Sequence, residues 1–165
     1  MTNLRIRPAT TSDLAAITQI YNEAIGERIA TADLEPRTAA DRAEWFKQFD
    51  TRHPIWVGEA EGKVRGYCAL YTYSPREGYR LAVENAVYVA TSARGLGYGR
   101  LLLAHVVEEA TRLGFHYMLA RIFAHNGPSL KLHERLGFGR LGLQREIVFM
   151  DGGYHDVVLM DRLLA

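Results

Sequence analysis

Apolar residues recur along this chain in two rhythms, and the switches between them divide it into strands and helices. Leu4 to Arg7 alternates as a short strand. Ser12-Asp13 can then cap a helix whose apolar positions Leu14, Ile17, Ile20 and Tyr21 follow helical spacing. Pro36 breaks the chain before a second helical run, Ala39 to Phe49, with Trp45, Phe46 and Phe49 as its apolar stripe. Ile55 to Ala60 and Val64 to Tyr71 are apolar runs joined by Glu61-Gly62-Lys63, which predicts a hairpin. Leu81 to Val89 reads as a strand, Leu101 to Leu113 as a helix closed by Gly114, Tyr117 to Phe123 as a strand, and Pro128 to Leu136 as a helix ended by Gly137. Two terminal strands, Leu141 to Met150 and His155 to Leu164, meet at the turn Asp151-Gly152-Gly153. This order predicts an α/β domain around a central sheet that binds ligands where strands separate.

Composition narrows the partners. A chain of 165 residues, 48% hydrophobic and 24% charged, supports a single domain over 1–165 with a sizeable core. The net charge is +1 without a long run of one sign, so no nucleic acid or anionic membrane is expected as a partner, and a charged ligand must be met locally. Met1 to Pro8 alternates instead of presenting a basic segment and an apolar core, and no apolar stretch approaches a membrane span, which predicts a cytoplasmic protein. The single cysteine, Cys68, sits in an apolar run and reads as a small buried hydrophobe. No metal site is expected.

Residues 94 to 100, Arg-Gly-Leu-Gly-Tyr-Gly-Arg, lie between the apolar Ala86-Val87-Tyr88-Val89 and the helical run from Leu101. Three alternating glycines strip side chains from this turn, so backbone N–H groups can converge on an anion at a helix N-terminus. A dinucleotide fingerprint needs glycine at 100 or 102, where Arg100 and Leu102 stand, and a P-loop needs a lysine that the loop lacks. The plain alternative is a glycine-rich turn without a ligand. What remains, Arg94-x-x-Gly97-x-Gly99, is similar to the R/Q-x-x-G-x-G/A pyrophosphate loop of the GNAT family of acyl-CoA-dependent N-acetyltransferases.

A second segment strengthens the resemblance. Asn126-Gly-Pro-Ser129-Leu-Lys-Leu-His133-Glu-Arg-Leu-Gly137-Phe138 resembles the family's second coenzyme-A segment, N-x-x-S/A-x-x-x-Y/H-x-x-x-G-F/Y. Ser129 and His133 are four apart on a helix that starts at Asn126, so all three can line one groove, although each also suits a helix cap or a surface position. Ile6-Arg7-Pro8-Ala9, Val83 to Val89, Leu132-His133-Glu134 and Asp151 to Val157 resemble the branch that acetylates phosphinothricin and methionine sulfoximine. Arg28-Ile29-Ala30-Thr31, Pro36 and Arg121-Ile122-Phe123 are similar to its arsinothricin N-acetyltransferase group. The resemblance implies a GNAT fold: a mixed, mostly antiparallel sheet with parallel strands splayed at the cofactor site and helices on both faces. It further implies acetyl-CoA as cosubstrate, a small-molecule amine as acceptor, and a homodimer. The dimer is also suggested by the apolar runs Ile147 to Met150 and Val157 to Met160, which exceed what a small sheet edge can safely expose.

The expected chemistry follows. Acetyl transfer needs an unprotonated amine, and Glu84 shares a strand face with Ala86 and Tyr88, where the resemblance implies a general base acting directly or through water. Backbone N–H groups of Val87 and Val89, flanking Tyr88, can bind pantetheine amides and the acetyl oxygen. The resemblance assigns the pyrophosphate to Arg94, Gly95, Leu96, Gly97, Tyr98, Gly99 and Arg100. His133 stands where many members carry tyrosine, which leaves it as a general acid or a coenzyme-A contact. Arg76, Tyr79, Arg80 and Thr31 are the expected acceptor ligands, arginine suiting an acidic substrate through its planar donor fork. Ala32 and Tyr73 replace larger aromatics of the phosphinothricin enzymes, so the pocket is reshaped. Acetylation of protein N-termini or other amines, and a non-catalytic coenzyme-A-binding domain, remain open as alternatives.

Overall fold

A seven-stranded sheet runs through the molecule in the computed structural model, which describes residues 3–165. In chain order the elements are β1 (Arg5–Pro8), α1 (Leu14–Glu27), α2 (Ala39–Phe46), β2 (Ile55–Ala60), β3 (Lys63–Thr72), β4 (Ala82–Val89), α3 (Tyr98–Arg112), β5 (Tyr117–Phe123), α4 (Gly127–Arg135), β6 (Gly139–Met150) and β7 (Gly153–Leu163). The spatial order is β1-β2-β3-β4-β5-β7-β6. Every neighbouring pair is antiparallel except β4 and β5. No helix is long and apolar enough to cross a membrane among the described residues.

Strand alternation sorts side chains to two helical layers. On β3, Cys68 and Leu70 face the α3 side with Leu102, Leu103 and Val106, whereas Tyr67 and Ala69 face α1 with Ile17 and Ile20. Cys68 is fully buried, and burial pushes its thiol up, far from a nucleophile's range. Gly58 and Gly66 let α3 lie close: a Cβ at Gly66 would stand 2.8 Å from both Leu102 Cδ1 and the Tyr88 carbonyl oxygen.

Two boundaries differ from the sequence pattern, those of α2 and α3, while α1 starts at Leu14 with Asp13 as its N-cap residue, as expected. α1 follows a short 3₁₀ turn, Thr11–Asp13, opened by Thr10, whose N–H donates to Asp13 Oδ2 at 2.8 Å. Asp13 is buried because Arg7 clamps both its oxygens, at 2.8 and 2.9 Å. α2 stops at Phe46, since Trp45 and Phe49 turn to pack on one another at 4.9 Å. α3 begins at Tyr98, inside the glycine segment and not at Leu101. The apolar run Val157 to Met160 also needs correcting as exposed surface. β7 lies between β5 and β6, so Val157, Val158 and Met160 are buried; the edge is β6, where Leu141, Leu143, Ile147 and Phe149 are exposed.

Candidate active site

β4 and β5 pair only from Ala82 to Glu84 against Tyr117 to Leu119, and then part. Beyond Glu84, β4 stays bonded to β3 through Val89 while β5 follows β7. The parting opens a groove of about 1670 Å³ lined by β4, the 94–100 loop, α4 and the segment between α1 and α2. Ala90 N–H donates to Arg65 O on β3 at 2.9 Å; with an unbroken register, alternation turns the N–H groups of Val89 and Val87 to the open side.

At one end of the groove Gly95 and Gly97 adopt φ of 77° and 82°, the left-handed region open to glycine without strain. The first bond of α3 runs from Leu101 N–H to Gly97 O at 3.3 Å, so Tyr98, Gly99 and Arg100 keep N–H groups outside the helix ladder. A Cβ on Gly97 would meet no atom within 4 Å beyond its chain neighbours and would project into the open groove. Arg94 lines the groove at the start of this segment. Its guanidinium pairs with Glu27 at 2.7 Å, which ties the loop to α1. Tyr98 is buried against the α1 layer, and Leu96 does not line the groove.

α4 forms the opposite wall. Asn126 caps it, accepting from Ser129 N–H at 3.2 Å, and donates through Nδ2 to Ile29 O at 3.0 Å, tying the helix to the segment after α1. His133 is 4% exposed; its Nδ1–H donates to Ser129 O at 2.8 Å, and its Nε2 lies 3.2 Å from Asn85 Oδ1. Burial lowers its pKa. His133 thus sits between α4 and β4 across the parting strands, its Nδ1 engaged within α4 and its Nε2 edge against Asn85 of β4.

Glu84 sits where the strands part, 22% exposed, and its carboxylate lies 3.3 Å from Arg121 Nη1 on β5. Burial raises its pKa and the guanidinium pulls it back down. Tyr71 of β3 lies opposite Glu84 in register. Beyond it, Arg42 is buried, its guanidinium 3.5 Å from the Trp45 ring centroid and 4.4 Å from that of Tyr21. Thr31 lines this end, 2.9 Å from Tyr21 Oη, and Tyr88 Oη donates to Ala30 O at 3.3 Å.

The structure thus brings Glu84, Val87 to Val89, Arg94, Gly95, Gly97 to Arg100, Asn126, Ser129, His133 and Thr31 to one groove. Arg76, Tyr79 and Arg80 do not line it. Their loop turns outward through the 3₁₀ turn Glu77–Tyr79, where Tyr79 packs on Tyr73 at 5.3 Å and Arg80 O accepts from Arg52 Nη2 at 3.2 Å. The cation beside Glu84 is Arg121 instead. Its signal was present in the sequence: a lone charge in the apolar strand Tyr-Met-Leu-Ala-Arg-Ile-Phe.

Comparison with known proteins gives concordant results. The pattern of the family described as the acetyltransferase (GNAT) family matches residues 14–138. The L-methionine sulfoximine/L-methionine sulfone acetyltransferase of Pseudomonas aeruginosa is 39% identical over 160 residues, which cover 94% of this chain and 91% of that one. The structure of a GNAT superfamily phosphinothricin acetyltransferase from Sinorhizobium meliloti in complex with acetyl-CoA superposes with a TM-score of 0.95 at 34% identity, over 99% of this chain and 90% of that one. A structure described as ribosomal-protein-alanine N-acetyltransferase from Brucella melitensis superposes with a TM-score of 0.94 at 36% identity, over 98% of this chain and 100% of that one.

Proposed function

Because this chain belongs to the GNAT acetyltransferase family and is an N-acetyltransferase that uses acetyl-CoA, we propose that its acceptor is the α-amino group of a small amino-acid-like molecule and that Glu84 is its general base. The carrying observation is the placement of Glu84: half-buried, beside the free edge of β4, at the mouth between cofactor loop and aromatic end. Phosphinothricin, methionine sulfoximine and arsinothricin are the acceptor types this reading favours.

The residues fit acetyl-CoA. The N–H groups of residues 95–100 would hold its pyrophosphate at the start of α3, and those of Val87 and Val89 its pantetheine and acetyl oxygen. The thioester supplies the activated acetyl group. Glu84, made more basic by burial, takes the proton from the acceptor's ammonium so that the nitrogen can attack the thioester carbon; the carbon–sulfur bond breaks, and coenzyme A leaves as its thiol with the proton that the nitrogen gives up on becoming an amide. The exposed apolar edge of β6 supports a homodimer in which a second copy covers it.

A second reading, acetylation of protein N-termini, is favoured by the Brucella melitensis neighbour. The two separate in a turnover assay that detects released thiol across small amino acids, simple amines and peptides. Small amino acids should give the highest kcat/KM; a peptide N-terminus in that place would select the second reading.

A further inference from the structure

Glu84 and Arg121 face one another across the gap where β4 and β5 separate, and the pair is loosely made. The Nη1 to Oε2 distance is 3.3 Å, the arginine is 52% exposed, and neither side chain has a hydrogen bond to another protein group among the described residues. The other groove-lining arginines are committed elsewhere or lie away from Glu84. Arg37 is held by Asp33 and Arg94 by Glu27, Arg42 is shut between rings, and Arg100 and Arg135 stand on the helices of the cofactor side. Alternation along β5 explains the geometry. Ala120 and Ile122 enter the core under α3 and α4, which turns Arg121 to the face of the sheet that carries Glu84.

An α-amino acid carries an ammonium and a carboxylate on one carbon, so it can enter between these two side chains and replace each one's partner. Its ammonium goes to Glu84, its carboxylate to the guanidinium fork. A plain amine has no such exchange: it takes Glu84 from Arg121, leaves the guanidinium uncompensated and sets its own positive charge beside it. Building on the acceptor reading above, we infer that Arg121 binds the acceptor's α-carboxylate and makes the enzyme select amino acids over amines that lack this group. The ion pair with Glu84 is then the contact that the zwitterion opens. The acceptor's side chain points toward Thr31 and the ring cluster of Tyr21, Trp45 and Tyr71.

The test compares L-methionine sulfoximine with the same molecule lacking its α-carboxyl group, in the wild type and in Arg121→Gln and Arg121→Lys. The wild type should favour the amino acid strongly. Arg121→Gln should lose about 10²-fold in kcat/KM for the amino acid, mostly through KM, while the decarboxylated amine changes little, so that the selectivity collapses. Arg121→Lys should recover part of it, and acetyl-CoA affinity should stay unchanged in both, which reports an intact fold. Equal losses for the two acceptors would overturn the inference, since that marks a residue serving Glu84 or the fold; unchanged selectivity would overturn it too. A wild type that acetylates peptides or amines but no amino acid would bring down the acceptor reading itself, a result distinct from either. If Arg121→Gln does not fold, Arg121→Lys on both acceptors decides, a smaller loss confined to the amino acid supporting the inference and an equal loss on both overturning it.

Discussion

Glu84 and Gly97 concentrate the chemistry in two residues that fail in opposite ways. Glu84→Gln keeps the shape of the groove and removes the proton acceptor, so turnover should fall about 10²-fold or more with acetyl-CoA affinity nearly intact, as measured by steady-state kinetics beside calorimetric binding. Gly97→Val keeps Glu84 but puts a β-branched side chain at a φ of 82° and into the groove, so acetyl-CoA binding should be lost in a domain that still unfolds cooperatively. The wild-type pH profile follows from burial. Glu84 faces Arg121 of β5 and Tyr71 of β3, and desolvation, its largest influence, raises its pKa. The acidic limb of kcat/KM should therefore lie above the ordinary carboxylate range, activity rising with pH as Glu84 ionises, and this limb should vanish in Glu84→Gln. At this scale the sequence was legible where a residue's role is written in backbone chemistry. The glycines and the unpaired N–H groups of β4 follow from local pattern, whereas the pairing of Glu84 with Arg121 depends on two strands 37 positions apart meeting in parallel.

The elements were legible where period and turn chemistry agree. Both tight hairpins carry a left-handed pair, Glu61-Gly62 and Asp151-Gly152, which the Gly-containing turns foretold. The start of α3 at Tyr98 was harder, because it lies inside the glycine segment, outside the apolar period. Arg7 lies on β1, and its clamp on Asp13 holds the 3₁₀ turn that leads from Thr10 into α1. This clamp is itself testable. The Arg7 guanidinium holds the buried Asp13 carboxyl below its ordinary value of 3.8, so its contribution to stability is present above that value and lost as pH falls through the lowered one. Asp13→Asn should lower stability by about 2 kcal/mol at neutral pH, seen as a shift in urea midpoint without a change in slope, and should flatten the acid end of the stability curve. His133 shows the same from the other side: its spacing in the motif was plain, but its burial and its contact with Asn85 arise only when α4 closes on β4.

For the whole molecule, the parting of one parallel pair in an otherwise antiparallel sheet creates the groove, and the two helical layers hold its opposite ends. The outward turn of the Arg76 to Arg80 loop was not legible, since loop direction is decided by packing such as Tyr79 on Tyr73. Nor was the placing of β7 inside the sheet, because its apolar run suits an edge and an interior alike. The edge that results, with Ile147 and Phe149 more than half exposed, should be covered by a second copy; sedimentation should find a dimer at micromolar concentration, and Phe149→Glu should shift it toward monomer. The central claim concerns what the groove accepts. Its most direct test is thiol release by the wild-type protein with acetyl-CoA and a panel of acceptors: small amino acids with a second acidic oxyanion or sulfoximine group, neutral amines, and peptides with free N-termini. Small amino acids should give the highest kcat/KM, whereas a neutral amine or a peptide N-terminus that matches or exceeds every amino acid would contradict the account.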